Sequence, residues 1–300
     1  MKEMKRRARH RFLEIGFEPS GYDFGRGDSK IDTSKSHLRK ALSFVISAIL
    51  AMWKFFLLLL TNLFSKPTLA YKTGPFFPNT LFDSSYCLSW RVAVETNNAG
   101  PWGTVPMECV LYVGRYMLGG QYNRDLKTVM EMIGTYLDGM EASDDGMDAW
   151  VLDVDDTCLS NLFYYQEKQF GGMPFDPAAF KSWAGKGMCS AILPVLDLFN
   201  KLIDRGYKVF LLTGRDDLTF RDITTANLQN QGYLGYERLI MRTADYKGKG
   251  AKFFKSAMRK QLMDEGYRLR GNVGDQWSDL QGDYLADRNF KIPNPMYYVP

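Results

Sequence analysis

Residues 151–157 read Val151-Leu152-Asp153-Val154-Asp155-Asp156-Thr157, an apolar start followed within five residues by three carboxylates and a hydroxyl. An unpaired carboxylate in a low-dielectric interior costs several kcal/mol, so acidic residues at the edge of a core need positive charge beside them. The stretch lies where an apolar strand is predicted to run into a loop. It therefore predicts a bound cation and a chemical role for the acidic side chains.

Three further motifs follow along the chain. The apolar segment Lys208–Leu212 ends in Thr213, Lys255 lies in a later helical segment, and Asp275 and Asp279 belong to a Gly-Asp-x-x-x-Asp pattern. Each motif falls at a predicted strand end or helix start. Four matches in this order are more specific than any single one, and they resemble the motifs of the haloacid dehalogenase (HAD) superfamily of phosphotransferases.

The resemblance is tighter to one family, the plant acid phosphatases and vegetative storage proteins of HAD subfamily IIIB. It covers residues 85–300, so only the first third of the chain lies outside it. The segments that carry it are Cys87-Leu88-Ser89-Trp90-Arg91 with Glu95 and Asn97-Asn98, Asp153–Asn161, Gly271–Leu280 and Lys291–Tyr298. This resemblance implies an acid phosphatase that acts on small phosphate monoesters.

The spacing of apolar residues predicts an α/β protein. Helical spacing from Leu126 to Met140 predicts a helical layer before the first motif, after which strands and helices alternate. Strands are predicted at 150–152, 208–212, 238–241 and 267–273, and helices at 193–203, 219–228 and 252–263. Alternation of this kind is typical of a parallel sheet whose site lies at the carboxyl ends of the strands. The resemblance implies a HAD-like Rossmannoid, doubly wound parallel sheet with an N-terminal helical layer and a small or absent cap.

The resemblance also implies catalytic and metal-binding roles. Asp153 is expected to attack phosphorus and form an aspartyl phosphate, and Asp155 to protonate the leaving alcohol and then activate water. Asp153, the backbone carbonyl of Asp155, and Asp275 are expected to bind Mg²⁺, which prefers oxygen ligands. Asp279 is expected to orient the metal's surroundings or its waters.

Phosphate oxygens need hydrogen-bond donors, and Thr213, Gly214 and Lys255 are the residues expected to bind them. The alternative for Thr213 is a helix cap, and that for Lys255 is a solvated lysine. Other lysines that compete for its role are Lys247, Lys249 and Lys252. Arg215 is a candidate contact to substrate. Asp156 is interpreted as a loop or helix cap without a place in the reaction.

Composition excludes several classes of enzyme and partner. The chain has 300 residues and a formal net charge of +4, and residues 1–40 hold eleven Lys or Arg against six Asp or Glu. The remainder is near neutral, so no nucleic-acid-binding face is predicted. Both histidines, His10 and His37, precede residue 41. A Ser-His-Asp triad, a phosphohistidine or a histidine-ligated metal centre therefore cannot form in the rest of the chain.

The apolar segment Ala41–Phe64 has two main interpretations. Behind the basic pair Arg39-Lys40, it is predicted to be a membrane anchor with a cytoplasmic N-terminus and a lumenal or extracellular catalytic domain. Alternatively, the run from Met52 to Ala70 reads as a secretory signal cleaved after Ala70, which makes the protein secreted or vacuolar. A buried soluble helix is the third alternative.

Three regions follow from this pattern. Residues 1–40 are predicted to be a basic, disordered extension, residues 41–70 an anchor or signal, and residues 71–300 the phosphatase domain. Both main interpretations of the middle region direct the enzyme into the secretory pathway. A homodimer is left open.

The four cysteines, Cys87, Cys109, Cys158 and Cys189, all follow the apolar segment. An even number of cysteines in a lumenal domain predicts one or two disulfides. Cys87 with Cys109 is the first predicted pair, because they flank a predicted loop. Cys158 and Cys189 are either a second pair or two buried thiols.

Two classes of function remain. The first is a magnesium-dependent acid phosphatase of broad phosphomonoester range, and the second is a storage protein of weak or no activity on the same fold. Some storage members of the family lack the attacking carboxylate, whereas Asp153 and the other motif residues are present here. Their presence favours the enzyme. A membrane-bound scaffold that recognises phosphate without turnover is a third class.

Overall fold

The computed structural model describes residues 84–300. The predictions for residues 1–40 and 41–70, and the first residues of the predicted phosphatase domain, lie outside the described residues. Within residues 84–300, no helix has the length and apolar character needed to cross a membrane.

A helical layer precedes the first strand, as predicted. Helix α1 spans Ser84–Glu95, α2 spans Val110–Leu118 and α3 spans Gln121–Asp138, with a 3₁₀-helix at Met107–Cys109. The α3 helix matches the spacing that starts at Leu126. Its buried side chains are those of Leu126, Ile133 and Leu137. These three apolar positions therefore attach α3 to the core.

Five parallel strands form the central sheet. They are β1 (Asp148–Asp153), β4 (Lys208–Asp216), β5 (Arg238–Arg242), β6 (Arg268–Gly274) and β7 (Asn289–Lys291). Their spatial order is β5-β4-β1-β6-β7. Helix α6 (Leu193–Asp204) precedes β4. Helices α7 (Asp217–Asn230), α8 (Ala251–Asp264) and the short α9 (Trp277–Leu280) follow β4, β5 and β6, respectively. The order brings the carboxyl ends of β1, β4 and β6 side by side.

Both faces of the sheet are covered. Successive side chains of a strand point to opposite faces, so β1 contributes to two buried clusters. One cluster holds Trp150 and Leu152 with side chains of α3, α6 and α7, and the other holds Ala149 and Val151 with side chains of α8. This arrangement confirms the predicted doubly wound α/β fold.

The insertion between β1 and α6 is small. It contains an antiparallel ribbon of β2 (Leu159–Ser160) and β3 (Ser190–Ala191), and the helices α4 (Leu162–Glu167) and α5 (Pro177–Ala184). Helix α5 begins after Asp176, whose carboxylate caps it by accepting hydrogen bonds from two backbone N–H groups. The insertion corresponds to the small cap that the resemblance implied.

One of the two candidate disulfides is present in the structure. Cys87 of α1 and Cys109, which directly precedes α2, form a disulfide, as predicted. Cys158 and Cys189 are free and buried, which matches the alternative of two thiols. The Cys189 thiol instead lies 3.5 Å from Oδ1 of Asn161 and 3.8 Å from Nη2 of Arg215. Polar groups of the neighbouring site are thus its partners.

Candidate active site

Three acidic side chains meet at the carboxyl edge of the sheet. Asp153 is the last residue of β1, Asp275 follows β6 directly, and Asp279 lies in α9. One carboxylate oxygen of each lies within 4.8 Å of the others. Lys255 of α8 contacts the carboxylates of both Asp153 and Asp279 through Nζ. All four side chains are buried, and Lys255 contacts two of the three acidic groups.

The excess of negative charge shifts the pKa values of the cluster. Burial, with the repulsion of Asp279 and Asp275, raises the pKa of Asp153 well above its usual range although Lys255 opposes it. Burial and the repulsion of Asp279 raise the pKa of Asp275 to about 6. Burial opposes the charged form of Lys255, but Asp153 and Asp279 outweigh it and raise its pKa. A divalent cation would favour the ionised form of the carboxylates.

The donor set fits a hard divalent cation such as Mg²⁺. Carboxylate oxygens are the ligands that this ion prefers, and the three groups exceed the positive charge of Lys255 by two when ionised. The predicted ligands Asp153 and Asp275 are both in the cluster. The carboxylate of Asp279 lies in the same cluster, and its expected role in orienting the metal's surroundings or its waters stays a prediction.

Two motif residues hold these carboxylates in place. The hydroxyl of Thr157 donates to Oδ1 of Asp275 at 3.3 Å and accepts from the Asp275 backbone N–H at 3.1 Å. A Cβ atom at Gly274 would lie 2.5 Å from the Cβ of Asp279, so only glycine permits this approach of α9 to the strand end. The first and fourth motifs therefore interlock.

Asp155 lies in a separate network on the β4 side. Nη2 of Arg215 donates to Oδ1 of Asp155 at 2.8 Å, and Nδ2 of Asn161 donates to the same oxygen at 2.9 Å. The hydroxyl of Thr213 donates to Oδ2 of Asp155 at 3.1 Å. Thr213 is fully buried, whereas the neighbouring Gly214 is exposed. In this structure Thr213 therefore faces Asp155, and Gly214 faces the open space.

Asp156 links the first motif to the C-terminal segment. Its backbone has a φ of 58°, a left-handed conformation that is uncommon outside glycine. Its carboxylate accepts from the backbone N–H of Asn161 at 2.8 Å and from the hydroxyl of Tyr297 at 2.9 Å. Burial and the repulsion of Asp275 raise the pKa of Asp156 to about 7. Asp156 therefore lies in the turn after β1, and its hydrogen bonds connect this turn to the C-terminal segment.

A second contact from the C-terminal segment reaches the acidic cluster. Nδ2 of Asn294 donates to Oδ2 of Asp275 at 2.6 Å, and the Asn294 backbone N–H donates to Glu95 of α1 at 3.0 Å. Glu95 also accepts from Nζ of Lys291 at 2.8 Å. Helix α1 and the C-terminal segment therefore hold the side chain of Asp275, a predicted metal ligand, in place.

A cavity of about 540 Å³ includes the acidic cluster in its wall. Polar side chains at this wall include those of Asp153, Asp155, Asp275, Asp279, Lys255 and Arg215, and Gly214 lies next to them. The small cap and the C-terminal segment contribute aromatic side chains, among them Tyr165, Phe180 and Tyr297. Tyr165 and Tyr297 stack with their ring centroids 4.6 Å apart. The cavity therefore has charged side chains at the edge of the sheet and aromatic side chains from the small cap and the C-terminal segment.

Comparison with known proteins identifies the family. A sequence model of HAD superfamily, subfamily IIIB (Acid phosphatase), matches residues 76–300. The chain belongs to this family. Acid phosphatase 1 of Solanum lycopersicum is 44% identical over 219 residues, which are 73% of this chain and 86% of the relative. Vegetative storage protein 2 of Arabidopsis thaliana is 37% identical over 218 residues, with 71% and 80% covered.

A solved structure has the same fold as this member of the acid phosphatase family. The class C acid phosphatase from Bacillus anthracis aligns with a TM-score of 0.52 at 20% identity and covers 63% of this chain and 84% of its own. The predicted family, fold and enzyme class, an acid phosphatase, are confirmed. The individual site roles stay predictions.

Of the lysines that competed for one role in this acid phosphatase site, Lys255 is the one that contacts Asp153. Sequence reasoning missed the parts played by Asn161, Asn294 and Tyr297. All three lie in segments that carried the family resemblance, but no motif rule gave them a partner. The ion pair of Arg215 with Asp155 was also missed, because Arg215 was considered only as a contact to substrate.

Proposed function

We propose that the chain is a magnesium-dependent acid phosphatase that hydrolyses small phosphate monoesters through an aspartyl-phosphate intermediate. The observation that carries this proposal is the position of Asp153. Its carboxylate lies at the end of β1, contacts Lys255 and shares the wall of one cavity with Asp275 and Asp279. This position supports a nucleophile, a counter-charge and a cation site within reach of a bound phosphate.

The nucleophilic step is assigned to Asp153. One of its oxygens attacks phosphorus as the bond to the leaving alcohol breaks, which splits hydrolysis into two easier steps. Lys255 offsets part of the charge of the carboxylate and of the phosphate. Asp153, Asp275 and Asp279, with the backbone carbonyl of Asp155, would hold Mg²⁺, which when bound supplies positive charge beside the phosphate oxygens.

Proton transfer is assigned to Asp155. Its carboxylate lines the same cavity, and hydrogen bonds from Arg215, Thr213 and Asn161 aim it. It gives a proton to the leaving alcohol and later takes one from the water that cleaves the intermediate. Gly214 lines the cavity next to this pair and is proposed to present its backbone to the phosphate. Thr213 is proposed as a further donor, which requires its hydroxyl to turn the single proton that it gives to Asp155 here toward the phosphate.

We also propose that the domain works in the secretory pathway. The disulfide between Cys87 and Cys109 supports an oxidising compartment, because cytosolic thiols are kept reduced. The segment at residues 41–70 is proposed to be either an uncleaved anchor or a signal removed after Ala70. Sequencing the mature N-terminus by mass spectrometry separates the two: a start at Tyr71 supports cleavage.

A storage protein with weak activity is the alternative function, and the similarity to vegetative storage proteins favours keeping it. Phosphoenzyme trapping decides between the two. The wild-type chain, quenched in acid during turnover of a ³²P-labelled monoester, is expected to carry acid-stable label that hydroxylamine releases. Asp153→Asn should carry none and lose turnover of p-nitrophenyl phosphate by about 10³-fold or more.

Asp155→Asn is the matched variant for this experiment. It should accumulate label at Asp153, because the first step slows less than the water attack that needs a base, and it should leave Mg²⁺ binding largely intact. Wild-type protein that neither turns over monoesters nor takes up label would support the storage function instead.

A further inference from the structure

Besides Lys255 and Arg215, the cavity wall contains a partly buried arginine that the proposed chemistry does not use. Arg242, the last residue of β5, lines the cavity and is half-buried. Its Nη1 atom donates to the backbone carbonyl of Lys249 at 2.6 Å and to that of Tyr246 at 3.2 Å. Its guanidinium carbon lies 4.9 Å from the ring centroid of Phe254. The group is therefore held in place by neutral partners only.

Arg242 has no ion pair within residues 84–300. Asp216 is its register neighbour on β4, but the Asp216 carboxylate accepts from the backbone N–H and hydroxyl of Thr219 as the cap of α7. Burial lowers the pKa of Arg242, and no acidic group in the described part of the chain opposes this shift. A positioned guanidinium in a cavity without a counter-ion is suited to bind an anion from solution.

The free side of the guanidinium faces the site. Nη2 of Arg242 would lie 3.7 Å from a Cβ atom at Gly214, and Gly214 carries no side chain that could fill this space. Gly214 lies between Thr213 and Arg215 and lines the same cavity as Asp155, the proposed proton donor to the leaving alcohol. By contrast, the other cation at the rim, Lys181, is exposed and interacts with the charge of Asp216.

We propose that Arg242 selects phosphate monoesters whose leaving alcohol carries a second anionic group, such as a carboxylate or another phosphate. This inference rests on the proposed phosphatase function and adds a substrate class to it. The second anion pairs with Arg242 while the first phosphate lies against Asp153 and Lys255. Because the guanidinium is already fixed by two carbonyls and a ring, little side-chain entropy is lost on binding.

The test compares two esters that differ only in charge, 3-carboxyphenyl phosphate and 3-carbamoylphenyl phosphate. The wild-type enzyme should prefer the carboxylate ester in kcat/KM by about tenfold, which corresponds to about 1.4 kcal/mol. Arg242→Gln should abolish this preference and leave kcat/KM for the amide ester within about twofold. The amide ester thus reports directly that the variant is folded and active.

A matched control is Arg238→Gln, which makes the same charge change at the opposite end of β5, where Arg238 pairs with Glu265 at 2.8 Å. This variant should keep the wild-type preference. Arg242→Lys should keep a part of it, because the charge remains and the planar fork is lost. An equal loss on both esters in Arg242→Gln would assign Arg242 to the transferred phosphate and overturn the inference.

Binding without turnover separates this inference from the proposed function. Asp153→Asn with Mg²⁺ should bind the carboxylate ester more tightly than the amide ester by isothermal titration calorimetry, and the added Arg242→Gln change should equalise the two dissociation constants. Equal affinities before that change would overturn the inference even if the enzyme is an active phosphatase. A preference in binding with no turnover by wild-type protein would contradict only the proposed catalysis.

Discussion

The guanidinium of Arg215 binds both carboxylate oxygens of Asp155, with Nη2 at 2.8 Å from Oδ1 and Nε at 3.1 Å from each oxygen. The Arg215 side chain is 2% exposed, whereas that of Asp155 is 21% exposed and open to the cavity. Burial opposes ionisation of Asp155, but Arg215 outweighs it and holds the pKa of that carboxyl below its usual range. Arg215 therefore fixes the orientation of Asp155 and favours its ionised form, which is the form needed when this group takes a proton from the attacking water.

Replacing Arg215 should impair esters that have poor leaving groups most strongly. Arg215→Gln is expected to lower kcat/KM for phenyl phosphate about 10²-fold, because the carboxylate of Asp155 is no longer aimed. The loss for p-nitrophenyl phosphate should be much smaller, since its leaving group needs less protonation. Steady-state kinetics measures both values. Arg221→Gln, a change in an exposed pair on α7, is the control, and equal losses on the two esters would contradict the role.

Removal of divalent cations should abolish activity, and Mg²⁺ should restore it, because Asp153, Asp275 and Asp279 repel one another and the phosphate. Binding should also raise the free energy of unfolding, by about 2.7 kcal/mol at an Mg²⁺ concentration of 100 times Kd. Thermal unfolding measures this shift without turnover. Asp275→Asn should lose the shift, and Asp264→Asn, on the exposed end of α8, should retain it. Full activity in a chelator would rule out the proposed metal.

Arg259 should act on the metal site through the backbone of Asp279. Its fully buried guanidinium donates to the carbonyl of Asp279 at 2.8 Å and to those of Gln281 and Asp283 at 2.7 and 3.0 Å. One turn earlier on α8, Lys255 contacts the side chain of Asp279. The same helix therefore holds both the backbone and the carboxylate of this proposed ligand.

Arg259→Gln is expected to weaken Mg²⁺ binding about tenfold and to lower the free energy of unfolding by about 1–3 kcal/mol, because buried carbonyls lose their donors. Calorimetry with Mg²⁺ measures the first effect, and urea unfolding the second. Arg268→Gln, at the opposite end of β6, should lower stability without changing the Kd for Mg²⁺. Unaltered Mg²⁺ affinity in a folded Arg259→Gln protein would show that the arginine serves stability alone.

Stability in acid should depend on Asp148, at the start of β1. Burial opposes its ionisation, but hydrogen bonds from Arg268, from the backbone of Ser143 and from Arg270 hold the pKa of Asp148 well below its usual range. The unfolded chain then binds more protons than the folded chain below about pH 4, so this part of the stability is present above that pH and is lost as the pH falls.

Asp148→Asn should therefore lower the free energy of unfolding by about 1–3 kcal/mol near pH 7, and the difference from wild type should shrink below about pH 4. Urea unfolding at a series of pH values measures it. Phosphatase activity at neutral pH should not change, because Asp148 lies at the opposite end of β1 from Asp153. A difference that is constant with pH would mean that the charge of Asp148 contributes nothing.

Local sequence patterns were sufficient to predict the strands and helices of this protein and the edge of the sheet that holds the site. Alternating apolar segments predicted the strands and helices, and parallel strands direct their carboxyl ends to one edge. The end of β1 and the end of β6 therefore had to bring Asp153 and Asp275 together. The order of the motifs placed the lysine of the site near residue 255, but several nearby lysines fitted that motif. The packing of α8 beside the cluster brings Lys255 into contact with Asp153.

Ion pairing was decided only by tertiary structure. Sequence spacing indicates which face a side chain lies on, but its neighbour from another element depends on how the two elements pack. Arg215 and Asp155 are 60 residues apart and form a pair, whereas Arg242 lies beside Asp216 and has no ion pair among residues 84–300. The same limit applies to Asn294, whose contact with Asp275 depends on the C-terminal segment packing against Glu95 at the end of α1. Amino-acid order thus determined the fold and the acidic cluster, while three-dimensional packing determined which charges are neutralised and which remain available to a ligand.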